Sequence, residues 1–372
     1  MKFDLFSLVQ KRDETWDDRL TYDRIGENIR IAEQMGMETA WFAEHHFNNY
    51  SLCPSPLFPC LYFAGQFKKI RFGTSVLVLP LYEPSRILQE IAQADVLTNG
   101  RLVVGIGAGY QDYEFVRFRV KLAEAVERTI EILDIIELGL TQPHFTYNGK
   151  HYQLPETQIA VKPIQKPMPE IWVAGLMGAP KMQRRVAESG YVPFLTPSWN
   201  PIESIKKTRD AYDEIYRANG KDPATMPLSL MRFTHITKDK AKARDAAERA
   251  RYSSRVSLSL RLNYAKINGI YCEDLPAPNE PSIAEMEGNY LIGDAETVAE
   301  RILHDYDVMK HSHVAVNVQL GGVPQQGAMS TLEEMGSKVI PMVQKELARR
   351  GAKFPDIKQR PMAAELQRQA AE

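Results

Sequence analysis

Short runs in which nearly every residue is apolar alternate along this chain with longer stretches whose apolar positions return every third or fourth residue. The first rhythm predicts strands at Lys2–Leu8, Thr39–Ala43, Ile70–Leu79, Leu102–Ile106, Ile171–Ala174, Val192–Leu195, Leu228–Thr237 and Val314–Gln319. The second predicts helices between them. Arg19–Met35 carries Ile25, Ile29 and Ala32 on one stripe, and Lys121–Leu140 carries Val126, Ile130 and Leu133. Further helices are predicted at Leu57–Gln66, from Pro84 to about Gly100, and at Lys181–Ser189, Ile202–Asn219, Asp239–Ser257 and Thr297–Met309. A last one, Leu332–Arg349, should kink at Pro341.

Strand–helix units repeated to the end of the chain predict an α/β protein, a (β/α)₈ TIM barrel. A doubly wound sheet fits less well, because no composition shift or linker divides the units. Two stretches break the alternation. Phe145–Tyr152, with Asn148-Gly149 between aromatic runs, predicts a tight hairpin. Residues 261–291 are irregular and proline-containing. One domain is expected over residues 1–350, followed by a loosely attached C-terminal tail, 351–372.

Composition changes this picture only by exclusion. The 372 residues are 44% hydrophobic and 25% charged, with a formal net charge of −1. Such a balance gives no electrostatic footprint for nucleic acid or an anionic membrane. No apolar run is long enough to span a bilayer, and the N-terminus lacks a signal-peptide core. Three cysteines without close spacing make a poor disulfide or zinc framework, so a reducing cytoplasm is the expected setting.

Candidate chemistry gathers at Thr39–Tyr50, where a buried strand ends in Glu44, His45 and His46. Catalytic groups of barrel enzymes sit at such C-terminal strand ends. A shared metal is excluded there, since neighbouring residues on a strand point to opposite faces. The metal-binding spacings H-x-x-x-H and H-E-x-x-H are absent. His311 and His313 have ligand-like spacing but precede the last strand, at the stabilising end of a barrel. No metal is therefore expected. Either histidine of the pair could transfer protons or simply cap the strand. Gly105, Gly107 and Gly109 alternate at the end of the fourth strand, and Tyr110 stands where a dinucleotide fingerprint needs glycine. They, like Gly175 and Gly178 ahead of the helix at Pro180, mark either tight turns or backbone approaching a planar, phosphorylated ligand. Gly73-Thr74-Ser75 within the third strand marks close packing by a neighbour or by such a ligand.

Together these segments resemble the bacterial luciferase-like flavin-dependent monooxygenases. The resemblance is carried by MKFDLFSL at the N-terminus, Trp41–Phe47, Gly73–Pro80, Gly100–Gly109, Pro169–Gly175, Ile292–Ala299 and Val339–Pro341. It implies reduced FMN at the C-terminal mouth of the barrel and addition of O₂ at the flavin C4a. The resulting (hydro)peroxide oxygenates a small organic substrate. A separate flavin reductase would supply FMNH₂, and the chain would form a homodimer through its early helices. It further implies that His45 stands near the reaction centre with Glu44 supporting it. Ser75 and Val76 would form a cis peptide under the flavin ring. Backbone of Gly109–Tyr110 and of Gly175, Leu176, Met177 and Gly178 would hold the phosphate, and residues 261–291 would close over the site. Phe42, Phe47, Tyr50, Leu52, Tyr110, Phe115, Met177 and Trp199 are candidate pocket walls. The chain departs from some relatives at Gly107, where they carry cysteine, and at Ala108, where they carry a phosphate-binding arginine. An F420-dependent oxidoreductase of the same barrel group, or a non-catalytic flavin-binding subunit, are the alternative readings.

Overall fold

The computed structural model describes residues 1–12, 14–175 and 179–371. Strands β1 (Lys2–Ser7), β2 (Thr39–Phe42), β3 (Arg71–Thr74), β4 (Leu102–Gly107), β5 (Glu170–Ala174), β6 (Val192–Leu195), β7 (Ser229–Ile236) and β8 (His313–Asn317) pair in parallel in chain order. The ring closes where β8 meets β1, with Leu5 opposite both Val316 and Ala40. This is the expected (β/α)₈ barrel. The third strand is shorter than its apolar run. It breaks after Thr74 and resumes only as Leu77–Val78, paired to β4.

The barrel is packed rather than hollow. Trp41, Trp172 and Phe194 fill its middle, with ring centroids 4.6, 5.2 and 5.8 Å apart. Gly73 is glycine for this reason: a Cβ there would lie 2.2 Å from the Trp41 ring. Below them sits a polar layer. Arg71 bridges Glu38 and Glu170, and the Trp172 ring meets His313 at 4.9 Å. Burial holds His311 and His313 neutral, with pKa values driven down to about 3. Asp4 in the same layer accepts the Thr39 amide N–H at 3.1 Å, while its Oδ2 has no partner among the described residues. Burial, reinforced by Glu38, pushes its carboxyl up to about 8. The folded state therefore holds a proton that the unfolded chain releases above about pH 4, and stability falls as pH rises from there to about 8. Asp4→Asn keeps the Thr39 acceptor. It should flatten that slope and stabilise the protein at pH 8 by on the order of 1–3 kcal/mol, read from denaturant midpoints across pH.

Several elements differ from the sequence expectation. The hairpin pairs Phe145–Asn148 with Gln153–Thr157, so its loop is longer than an Asn-Gly turn. The cause is Glu131, whose carboxylate accepts the amide N–H groups of Lys150, His151 and Tyr152 and draws the loop open. A helix at Asp112–Phe118 has no counterpart in the periodicity. Residues 261–291 contain a small hairpin, Ile267–Asn268 with Tyr271–Cys272, and a helix, Ile283–Asn289. The helix expected at Leu332–Arg349 starts earlier, at Gln325, and passes through a π turn at Met335–Val339; a further helix, Ala363–Ala371, follows it in the tail. That wider turn precedes Pro341, which has no N–H to donate.

The tail is tied down rather than loose. Gln359 donates to the Ile171 carbonyl and accepts its N–H, both at 2.7 Å. The Met362 and Ala363 amides donate to Glu137, whose other oxygen binds Arg185 and Tyr191. No helix among the described residues is long and apolar enough to cross a membrane.

Candidate functional site

Beyond β2 the chain folds back on itself. The Ser51 hydroxyl donates to the Ala43 carbonyl, and the His45 amide to the Cys53 carbonyl. This return buries Glu44, His45 and His46 at the strand's C-terminal end. The two imidazoles take different partners. Glu44 accepts from His46 Nε2 at 3.0 Å, from the Tyr82 hydroxyl at 2.6 Å and from the Val78 amide at 3.2 Å. Burial pushes its carboxyl up against the pull of these donors. Glu44 thus pairs with His46, where the resemblance had it supporting His45.

The acid on His45 is Glu114, from the helix that periodicity missed. Its Oε1 lies 3.0 Å from His45 Nδ1 and accepts the His46 amide N–H at 2.8 Å. Oε1 accepts from Nδ1 when the imidazole carries its proton there. Gln111 approaches the same nitrogen at 3.0 Å. Nε2 is left facing the Tyr110 hydroxyl, 3.4 Å away, and the Tyr50 ring packs at 4.7 Å. The sequence did carry a signal for Glu114: an acid four residues beyond Tyr110, in the segment that follows the glycine turn.

Strands β3, β4 and β5, neighbours in the barrel, extend this arc. The Ser75–Val76 peptide is cis, as the resemblance implies, and both residues are half-buried among buried neighbours. Two of the alternating glycines answer to packing. A Cβ at Gly105 would lie 1.9 Å from the Thr74 carbonyl oxygen, and one at Gly107 would lie 2.7 Å from Val76. They let β4 press against the kinked third strand. Gly109 and Gly175 differ, since both take left-handed backbone, with φ of 75° and 72°. Leu176, Met177 and Gly178 lie outside the described residues. Among the proposed pocket walls, Tyr50 and Tyr110 flank His45. Phe42 instead stacks outside the barrel on Phe63, Phe115 is buried beneath Gly109, and Phe47 is exposed on the rim.

A helix roofs the mouth. Lys240–Arg261 starts at Asp239, which caps the amides of Ala241 and Lys242, and runs a turn beyond its expected end. Along its length Arg249 donates to the Gly322 carbonyl after β8, Tyr252 accepts from Asn49 after β2, and Ser253 donates to Gln10 after β1. Ser254 meets Ser198 after β6 at 3.0 Å, and Ser257 meets Tyr110 after β4 at 3.5 Å. Asn49 also fixes the small hairpin of the insertion, accepting from the Cys272 amide and donating its own to the Ile270 carbonyl. No group of three His, Cys, Asp or Glu side chains suited to a metal ion occurs among the described residues.

Known proteins resemble this chain in sequence or in fold. An uncharacterised protein, y4vJ, of Sinorhizobium fredii is 38% identical over 94% of this chain and 99% of its own. The oxygenase component of a flavin-dependent trigonelline monooxygenase from Acinetobacter baylyi is 26% identical over 92% of this chain and 95% of its own. The oxygenating constituent of 3,6-diketocamphane monooxygenase from Pseudomonas putida, solved with FMN, has the same fold. Its TM-score is 0.74 at 21% identity, over 92% of this chain and 98% of that one. An F420-dependent secondary alcohol dehydrogenase shares the fold too, with a TM-score of 0.69 at 16% identity, over 92% of this chain and 98% of that one. The family described as luciferase-like monooxygenase matches residues 1–309. A match over most of the length, with a closed barrel and a roofed mouth holding a carboxylate-bound histidine, leads to one conclusion: the chain belongs to the luciferase-like monooxygenase family.

Proposed function

We propose that this protein is the oxygenase of a two-component system, taking reduced FMN from a separate flavin reductase and using O₂ to oxygenate a small organic substrate. The observation that carries the reading is His45, held by Glu114 with Nε2 toward a roofed mouth beside the half-exposed Ser75–Val76 floor. A flat ring fits against that floor. The left-handed backbone at Gly109 and at Gly175 presents turns suited to a phosphate. Reduced FMN, when bound, supplies the electrons that activate O₂. The chain's own residues then orient and shield. His45 Nε2 can hold or move a proton at the reacting oxygen, Tyr110 and Tyr50 limit its motion, and the roof helix excludes water. The relative named as an oxygenase component supports a reductase partner. The three cysteines are free and buried, in keeping with a reducing cytoplasm.

A cofactor titration tests the reading. Under anaerobic conditions reduced FMN should bind at least about tenfold more tightly than reduced F420, a gap of about 1.4 kcal/mol. Admitting O₂ should then consume it with release of H₂O₂ when no substrate is present. Preference for F420 without O₂ consumption would replace the oxygenase with a hydride-transferring oxidoreductase, a reading that the shared fold of the alcohol dehydrogenase supports.

The same proposal includes a homodimer. Helices Leu57–Ala64 and Pro84–Leu97 leave Phe58, Tyr62, Val96 and Leu97 exposed, Phe58 at 73%. Between the helices lies a groove of about 350 Å³, with Leu57, Phe58, Leu61 and Ala94 beside Arg86, Gln89, Glu90 and Gln93. Exposed apolar side chains around a groove with a mixed polar lining suit an interface between copies of the chain. Phe58→Asp should turn a dimer into a monomer by sedimentation velocity, with little change in the melting of the monomer.

A further inference from the structure

One face of the roof helix carries a polar stripe that the reading above leaves unused. Arg251, Ser254, Ser257 and Arg261 follow at intervals of three or four residues and so share that face. The Ser257 end stands by Tyr110 and hence by His45. Arg261 lies over the Tyr110 ring at 4.5 Å. The Arg251 end lies on the β6–β7 side of the mouth, where Ser254 meets Ser198.

Arg251 is the unexplained residue. The side chain is half-buried, and its Nε is buried with no hydrogen-bond partner among the described residues. The Tyr290 hydroxyl pairs with Ser254 and feels the charge of Arg251. Glu280 feels the charge of Arg251, but its hydrogen bonds go to other groups. Glu280 is held by two nitrogens of Arg255 and accepts the Ala277 amide at 3.1 Å. Asp274 faces Arg255 at 3.1 Å and Arg12 at 3.9 Å. The neighbouring cation Arg232 has Asp305 at 3.2 Å and the Asn289 carbonyl. A buried guanidinium donor without an acceptor is costly, and an anion placed there relieves the cost.

We propose that Arg251, with the hydroxyls of Ser198, Ser254 and Tyr290, binds the carboxylate of the substrate, whose reacting end lies beside His45. The inference rests on the oxygenase reading for the role of His45, but not for the anion site itself. One planar guanidinium with hydroxyls around it matches a carboxylate. The six residues from Arg251 to Ser257 correspond to about 9 Å along the helix, which sets the separation of anion and reacting group.

The test uses the full-length protein, flavin-free and FMN-loaded, with 3-phenylpropionate and its neutral amide as calorimetric probes. The acid should bind at least tenfold more tightly than the amide. Arg251→Gln should erase that preference, Arg251→Lys should keep part of it, and Arg261→Gln should preserve it, with FMN affinity unchanged in all three. Equal binding of acid and amide to the unaltered protein, or a preference that survives Arg251→Gln, overturns the proposal. If Arg251→Gln instead weakens FMN tenfold and leaves the acid preference intact, the arginine serves the cofactor phosphate and the substrate assignment fails. The acid preference of the flavin-free protein is independent of cofactor choice. A chain that prefers F420 yet discriminates acid from amide loses only the oxygenase reading.

Discussion

His45→Asn is expected to retain FMN binding within about threefold while product formed per reduced flavin consumed falls at least about 10²-fold, the low end of the usual contribution of a positioned acid or base. The electrons should appear as H₂O₂ instead. Asparagine keeps a polar group of similar reach at a position where the ring packs against Tyr50 and faces Tyr110, so the fold should survive. Glu114→Gln should give a milder version. It removes the carboxylate from Nδ1 but leaves an oxygen to accept the His46 amide. About a tenfold loss in kcat with unchanged FMN affinity is expected, because the imidazole is still present but less firmly oriented. Simultaneous measurement of product, H₂O₂ and O₂ decides the matter. Unchanged coupling in His45→Asn removes that residue from the chemistry.

Glu44→Ala should act on stability rather than on turnover. The substitution strands three buried donors at once: His46 Nε2, the Tyr82 hydroxyl and the Val78 amide. Removing one member of a buried, hydrogen-bonded charged group costs about 3–5 kcal/mol. The loss should appear as a lower denaturant midpoint with an unchanged slope. Glu44→Gln keeps one acceptor oxygen and should lose about 1–2 kcal/mol. Because burial raises the Glu44 carboxyl, its contribution is fully present below the ordinary carboxylate range and fades as pH climbs through the raised value. The glutamine variant should accordingly show a flatter pH profile on the alkaline side of that range. A Glu44→Ala protein that melts normally yet fails to oxygenate would contradict this structural role and return the residue to the chemistry.

The strands were legible because a parallel barrel buries both faces of each one, which writes an unbroken apolar run into the chain. Position at the end of such a run was likewise enough to single out Glu44, His45 and His46. Pairing was not legible. Glu114 reaches His45 across 69 positions, from a helix too short to print a periodicity. Adjacency in sequence favoured Glu44 as the partner, but the two histidines face different ways and each takes its own acid. The glycines at 105 and 107 show the opposite case. Their spacing suggested a ligand cradle, whereas their neighbours are the Thr74 carbonyl and the Val76 side chain. The docked tail was hidden for a similar reason. Gln359 and the Met362 amide find their partners at Ile171 and Glu137, and no local pattern encodes contacts made at such a distance along the chain.

The roof helix has a consequence for how such a protein diversifies. In most barrels each loop at the mouth varies on its own, and a new substrate requires changes scattered over several of them. Here one continuous segment touches the loops after β1, β2, β4, β6 and β8. Exchanging residues 249–261 as a block would redraw the ceiling of the whole chamber in a single step, while the strands, the floor and the paired histidines stay as they are. A helix of this kind works as an interchangeable cartridge, so a duplicated gene could acquire a new substrate through one short stretch of codons.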